Sequence, residues 1–413
     1  MIQKKNLILI GGAGRNVGKT LFACRLIERR APDPAVTGIK ITVMEPPDTG
    51  HRDRVEEGTY QSFDGPFQIL EEAAPADATD TGRMLKAGAR RVFRLKVRRE
   101  HLREGLAELF DRVPDDACVV AEGTSARTAV EPGVFLLLRR KNNTAMKASC
   151  AAVHPFADRV AEFDGRGWNA RPDDCRFIKG EWMLRPRAGA VVLAGGDSRR
   201  MGRDKALLPV QGRPMIALIV DQLKALFEEI VISANRPDDF GFLGLTVVPD
   251  LEPGQGPLRG IASSLPRMTH DLNFVTACDI PRIDLSFANR LIKIADGYDL
   301  VLPYVKGRAF GSPLARDLYP RASTAEVDPR AKPGAPAAVE SHLYEPLFAV
   351  YRKSVVPEAA RILEGGGRSI LELLDRIKVN FVKIPDRSWG RNINTEAEYA
   401  DLIADAAEGD PKK

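Results

Sequence analysis

The apolar run Ala190-Val191-Val192-Leu193 leads into Ala194-Gly195-Gly196-Asp197-Ser198-Arg199-Arg200-Met201-Gly202-Arg203-Asp204-Lys205. A β-prone run that ends in glycines offers a backbone able to approach a phosphate chain closely and aim successive N–H groups at it. Leu193, Ala194, Gly195 and Gly196 are therefore candidate cradle residues, and Arg199 and Lys205 supply cations for a polyanion. A second glycine loop, Gly11-Gly12-Ala13-Gly14-Arg15-Asn16-Val17-Gly18-Lys19-Thr20, follows the apolar run Asn6–Ile10. Its Gly18-Lys19-Thr20 ending is the core of a phosphate-binding loop of Walker A type. Lysine reaches the outer phosphates, the threonine hydroxyl ligates Mg²⁺, and amides at the helix start bind oxygens. The usual leading glycine, five positions before Gly18, is replaced by Ala13.

Phosphates alone do not make a reaction. Nucleotidyl transfer also needs charge stabilisation at the α-phosphate and pyrophosphate, and a carboxylate to hold a metal ion. The carboxylate candidate is Asp279, which follows the buried-looking run Phe274–Cys278 and precedes the turn-forming Ile280-Pro281. An aspartate at the carboxyl end of a parallel strand projects into the crevice where α/β sheets bind ligands. Asn235 and Asp250 also follow strand-like runs and could pair with a base or sugar, and the Pro/Gly segment Pro253–Ile261 opens a helix with free N–H groups.

Positioning these groups requires a large scaffold. A chain of 413 residues exceeds what one hydrophobic core usually supports, so two domains are expected. β-like runs alternate with amphipathic helical runs in both halves, the pattern of parallel α/β sheets. Strands are predicted at Arg91–Val97 and Cys118–Ala121, then at Glu229–Ala234, Leu245–Pro249, Asn273–Ala277 and Asp299–Pro303. The polar stretch Arg185-Pro186-Arg187-Ala188-Gly189 resists helix and strand, which sets the domains at 1–185 and 186–413. Arg321–Ser341, rich in Ala and Pro, reads as a mobile loop inside the second domain or a tolerated insertion. Five scattered cysteines without a C-x-x-C pair argue against a zinc site and a disulfide framework. The net charge of +5 suits anionic small molecules, and no nucleic-acid recognition motif is present. The first apolar run is too short for a signal peptide, and no stretch approaches the ~20 residues of a membrane span. The expected location is the cytoplasm.

The first half resembles the MobB family of GTP-binding accessory proteins of molybdenum cofactor biosynthesis. Asp80-Thr81-Gly82-Arg83 followed by Ala87-Gly88-Ala89 is similar to that family's D-S-x-R-x-x-x-A-G-A stretch. Gly38-Ile39-Lys40 sits at its lysine–histidine pair, with Ile41 in place of histidine, and Glu122-Gly123 follows a buried strand as its glutamate does. The resemblance implies a P-loop NTPase-like parallel sheet binding nucleotide and Mg²⁺ at Gly18, Lys19 and Thr20.

The second half resembles molybdenum cofactor guanylyltransferases (MobA) over about 189–405. Residues 193–205 match the L-A-G-G-x-S-x-R-M-G-x-D-K signature, 250–261 match D-x-x-P-G-x-G-P-L-x-G-I, and Cys278–Pro281 match C-D-x-P. Leu347, Ala349 and Tyr351 fall in a Q-P-L-x-A-x-Y-like segment where Glu345 replaces glutamine, and Asn392-Ile393-Asn394-Thr395 matches N-x-N-T. The resemblance implies a Rossmann-like three-layer α/β/α nucleotidyltransferase that transfers GMP from GTP to Mo-molybdopterin and releases pyrophosphate. It implies Mg²⁺ at Asp279, guanosine near Asn235 and Asp250, and the pterin end near Asn392 or Asn394. Transient contacts with molybdopterin-loading proteins or apo-molybdoenzymes would follow. Two alternatives stay open: a cytidylyl- or sugar-nucleotide transferase of the same fold, and a non-catalytic GTP-dependent cofactor carrier.

Overall fold

The computed structural model describes the chain except for residues 15, 31–34, 45–64, 144–145, 196–203, 307–341, 385–392, 394 and 409–413. The chain divides into two compact units, Met1–Arg185 and Pro186–Lys413.

In the first unit, β1 (Ile2–Gly12) is central to a seven-stranded sheet. The other strands are β2 (Val36–Met44), β3 (Phe67–Glu71), β4 (Arg91–Arg98), β5 (Cys118–Glu122), β6 (Val130–Arg140) and β7 (Arg159–Phe163), in the order β3-β4-β2-β5-β1-β6-β7. All neighbours run parallel except β3 against β4. The apolar run in β1 is continuous because both sheet faces are covered: Leu7 and Leu9 join one core, Ile8 and Ile10 the other. Helix α1 (Lys19–Arg30) lays Phe22, Ala23, Leu26 and Ile27 on the second core, and Arg29 and Arg30 at its end complement the helix dipole. Helices α2 (Asp80–Lys86) and α3 (Leu102–Asp111) follow β3 and β4. The Thr79 hydroxyl accepts from the Gly82 amide and fixes the start of α2, which is where Asp80 sits. A short helix α4 (Ala148–Ala151) and a hairpin, β8 (Cys175–Ile178) with β9 (Glu181–Leu184), complete the unit.

The second unit begins with β10 (Ala188–Leu193), two residues inside the stretch expected to resist strand formation. Gly189 is what permits it. A Cβ there would lie 2.2 Å from Met268 Cε and 2.7 Å from Asn273 Oδ1, so a larger residue would have to displace both side chains for β10 to pack this closely. β10 pairs in parallel with β13 (Ile230–Ser233) and β15 (Leu272–Ala277), and β13 with β14 (Thr246–Val248). A minor ribbon, β11 (Pro209–Val210) with β12 (Arg213–Pro214), precedes helix α5 (Met215–Lys224). Beyond β15 the sheet turns antiparallel through β18 (Phe348–Arg352) and β16 (Leu300–Lys306) to β17 (His342–Tyr344), and β19 (Val379–Lys383) pairs with β16 in parallel. Helices α6 (Pro257–Ser264), α7 (Leu285–Lys293), α8 (Val356–Glu364) and α9 (Glu396–Glu408) complete this mixed α/β fold. Asp284 caps α7, and Thr395 with Glu398 forms a reciprocal capping box at the start of α9. The predicted strands at 229–234, 245–249, 273–277 and 299–303 overlap β13, β14, β15 and β16. No described helix is long and apolar enough to cross a membrane. The Arg321–Ser341 segment lies outside the described residues.

Candidate functional site

In the second unit β10, β13, β14 and β15 are parallel, so their carboxyl ends share one edge of the sheet. The chain passes from β10 through β13 and β14 on one side and returns to β15 on the other. The carboxyl ends of β10 and β15 therefore flank a topological switch point, where open α/β sheets bind ligands. Leu193 and Ala277 are register partners there, and the Cys278 amide donates to the Leu193 carbonyl at 3.0 Å. The Ala194 amide donates to the Ser233 carbonyl at 2.8 Å, which turns the chain out at Gly195. Gly196 and Arg199 lie outside the described residues.

Lys205 opens a single turn of 3₁₀ helix whose cap is Asp204; Asp204 Oδ1 accepts from the Ala206 amide at 3.0 Å and Oδ2 from Arg236 at 2.9 Å. Asp279 follows β15 at the same sheet edge. Burial pushes its carboxyl well up, and the Lys205 ammonium opposes this by favouring the ionised form. Its Oδ1 is buried without a hydrogen-bond partner among the described residues. An orphaned carboxylate oxygen beside a lysine fits a Mg²⁺ ion completed by substrate phosphates. Among the described residues no group of three or more His, Cys, Asp or Glu could cage an ion.

Asn235 and Asp250 meet, as partners of each other. Asn235 Nδ2 donates to Asp250 Oδ2 at 2.9 Å, and Asn235 Oδ1 accepts from the Asp250 amide at 2.8 Å. Both polar ends of the amide are thus engaged, with Asn235 exposed and Asp250 half-buried. Asn392 and Asn394 lie outside the described residues; between them, the Ile393 amide donates to the Asp279 carbonyl at 2.8 Å. Sequence reasoning missed Gln222 on α5. Its amide donates to the Pro281 carbonyl at 2.8 Å and its oxygen accepts from the Ile283 amide at 3.0 Å, clamping the turn that carries Asp279. No local signal marks this role of Gln222, since the Pro281 and Ile283 groups it holds are about sixty residues away.

In the first unit the carboxyl ends of β1, β2 and β5 border a cleft of about 230 Å³ lined by Gly12, Lys19, Lys40, Glu122, Thr124 and Lys147 among others. Lys40 and Glu122 are register partners on β2 and β5, which is why residues 82 apart meet. Lys40 Nζ lies 2.6 Å from Asp80 Oδ2 and 2.7 Å from Glu122 Oε1. Thr20 Oγ1 lies 3.0 Å from Asp80 Oδ1 and 2.8 Å from Glu122 Oε2. Lys19 donates to the Gly14 carbonyl at 3.2 Å and stands 4.0 Å from Glu122. Burial lowers the Lys19 pKa, with Glu122 opposing. Burial also acts on Lys40, but Glu122 and Asp80 outweigh it and raise its pKa.

Among the described residues of this loop, Asn16 (φ 55°) and Gly18 (φ 81°) are left-handed, whereas Ala13 is buried and continues the ladder to the Leu138 carbonyl at 2.8 Å. Alanine is tolerated at 13 because the strain sits elsewhere. Trp168, also missed, lies against the loop: a Cβ on Gly18 would approach its ring to 2.8 Å. Thr124 was missed too, although it stands only two residues after Glu122. Its hydroxyl accepts from the Gly12 amide at 2.9 Å.

A family profile described as "MobA-like NTP transferase domain" matches residues 190–378. A protein of Clostridium perfringens is 39% identical over 227 residues, 52% of this chain and 96% of its own length. One of Carboxydothermus hydrogenoformans is 30% identical over 220 residues, 52% of this chain and 93% of its own. One of Pelotomaculum thermopropionicum is 33% identical over 196 residues, 48% of this chain and 78% of its own. Each bears the name "Probable molybdenum cofactor guanylyltransferase". Identity at this level along nearly the full length of such relatives makes this chain a nucleotidyltransferase and, through its C-terminal half, a member of the molybdenum cofactor guanylyltransferase family.

Proposed function

We propose that the second unit transfers GMP from GTP to the terminal phosphate of Mo-molybdopterin. An oxygen of that phosphate forms a bond to the α-phosphorus while the bond from the α-phosphorus to the bridging oxygen breaks, and pyrophosphate leaves with that oxygen. The acceptor is already anionic, so no general base is needed; positioning and charge neutralisation carry the rate. Leu193, Ala194, Gly195 and Gly196 cradle the phosphates, and Lys205 with Arg199 neutralises charge on the departing pyrophosphate. Asn235 holds Asp250 toward the guanosine, and Asn392 or Asn394 faces the pterin. Asp279 would hold Mg²⁺, which when bound withdraws charge from the phosphate oxygens. The observation that supports the reading is that Asp279, with a buried Oδ1 that has no hydrogen-bond partner among the described residues, follows β15 at the strand edge where the glycine loop leaves β10, the register partners there being Leu193 and Ala277.

We also infer that the first unit binds GTP with Mg²⁺ through Gly18, Lys19 and Thr20, and serves in cis as an accessory to the transferase. A tether raises local concentration without new contacts. Contacts with loading proteins or apo-molybdoenzymes and a cytoplasmic setting belong to this reading.

The test is pyrophosphate release by the full chain with GTP, CTP, ATP or UTP and Mo-molybdopterin. GTP-specific release that is lost in Lys205→Ala and retained in Lys19→Ala supports the assignment. Release with CTP or a sugar phosphate acceptor would replace it with the related transferase reading. GTP binding without product would favour the carrier.

A further inference from the structure

In the first unit, the two carboxylates are shared out in a closed ring. Each gives one oxygen to the Lys40 ammonium and the other to the Thr20 hydroxyl, all at 2.6–3.0 Å. The ring is not a surface ornament. Glu122 is 2% exposed and Lys40 21%, while Asp80 at 37% forms the open side. Thr20 has one hydrogen for two acceptors, so among the described residues its corner is one donor short. Three oxygens, Thr20 Oγ1, Asp80 Oδ1 and Glu122 Oε2, therefore meet at that corner. An oxygen-seeking divalent ion needs acceptors and no donors, which suits this corner and leaves Lys40 as the obstacle.

Resting on the reading that this unit takes a nucleotide with Mg²⁺, we propose that Lys40 is a built-in counter-ion that competes with the divalent cation for Asp80 and Glu122. The site then accepts its cation only together with a nucleotide. Without phosphates, a cation entering beside Lys40 meets a like charge within a partly buried cleft, where Coulomb repulsion is weakly screened. With phosphates present, the ammonium has somewhere to go: Lys40 lines the same cleft as Gly12 and Lys19, on which the phosphates would lie. The coupling is reciprocal, so nucleotide tightens cation binding by the factor by which cation tightens nucleotide binding. Lys40 acts through the carboxylates and is a positioning and gating residue rather than a catalytic one.

The experiment uses Mn²⁺ alone as probe, followed by the loss of its free electron paramagnetic resonance signal. It is done in full-length protein carrying Asp279→Asn and Lys205→Ala, which removes from the second unit both the carboxylate proposed to hold its cation and the lysine proposed to hold its phosphates. Into that background go Lys40→Met and Lys40→Gln; the glutamine amide still donates to a carboxylate, so the fold survives if methionine is not tolerated. The expected result is Mn²⁺ binding at least tenfold tighter than in the background protein, with a Mn²⁺-dependent rise in melting temperature that Lys40→Arg does not show. Recovery of a folding-impaired Lys40→Met by Mn²⁺ counts the same way. Adding GTP should tighten Mn²⁺ binding in the Lys40 protein and do so far less in Lys40→Gln. Unchanged Mn²⁺ affinity in both neutral variants would overturn the proposal. A separate GTP titration of the Lys40 protein distinguishes the two readings: no GTP binding removes the nucleotide assignment, whereas the Mn²⁺ comparison judges Lys40 alone.

Discussion

Replacing Asp279 with asparagine separates charge from shape at the centre of the transferase site. Removing one group that stabilises charge developing on the reacting phosphates typically lowers kcat by ~10²–10³-fold, about 2.7–4 kcal/mol. The same change should stabilise the fold. Oδ1 is buried and unpartnered among the described residues, and burial pushes the carboxyl above its ordinary value. An unmet buried acceptor costs roughly 1–3 kcal/mol, more when charged, so neutralising it should recover about 1 kcal/mol. For a unit of roughly 150–250 residues that is a rise of ~2–4 °C. The pH dependence follows from the direction of the shift. As pH rises, the unfolded chain releases this proton near ~3.9, before the folded state does. Stability is therefore lost from that pH up to the raised folded value, and the full deficit persists above it. Asparagine removes the deficit, so the two proteins should melt alike below pH ~4 and diverge above it. Thermal unfolding from pH 3 to 8, paired with pyrophosphate release at saturating GTP, reads both effects. Turnover within tenfold of the parent protein, or a variant less stable at pH 7 than at pH 4 relative to the parent, would refute the reasoning.

Other outcomes can be checked alongside. Gly189→Ala places a methyl 2.2 Å from Met268 Cε, and overpacking of this kind should lower stability by roughly 1–3 kcal/mol in denaturant unfolding. Gly18→Ala combines a left-handed backbone (φ 81°) with a 2.8 Å approach to the Trp168 ring; GTP binding by the first unit should fall at least tenfold, with a change in tryptophan emission. Gln222→Leu leaves the Pro281 carbonyl and Ile283 amide without their clamp, so kcat should fall about tenfold while KM for GTP moves little; the reverse pattern would deny Gln222 a role in aiming Asp279. Asn235→Ala frees Asp250 and should raise KM for GTP several-fold at nearly constant kcat.

How far the sequence reached depended on how local each signal was. The strand-then-glycine arrangements at Ile10–Gly12 and Leu193–Gly195 and the strand before Asp279 are written within a few neighbouring residues, because backbone geometry acts over short stretches of chain. Their motifs also carried the transferase family, since a phosphate cradle needs glycines and cations at short spacing. Tertiary structure decided the rest. It alone pairs Asn235 with Asp250, and it sets Gln222 against Pro281 and Ile283. It showed left-handed backbone in the first loop at Asn16 and Gly18 and started β10 at Ala188, inside a stretch that looked like a linker. Above all, it closed Thr20, Lys40, Asp80 and Glu122 into one ring. Parallel strands adjacent in a sheet are far apart in the chain, so which side chains share an edge follows from strand order and register. Spacing along the sequence does not encode that order.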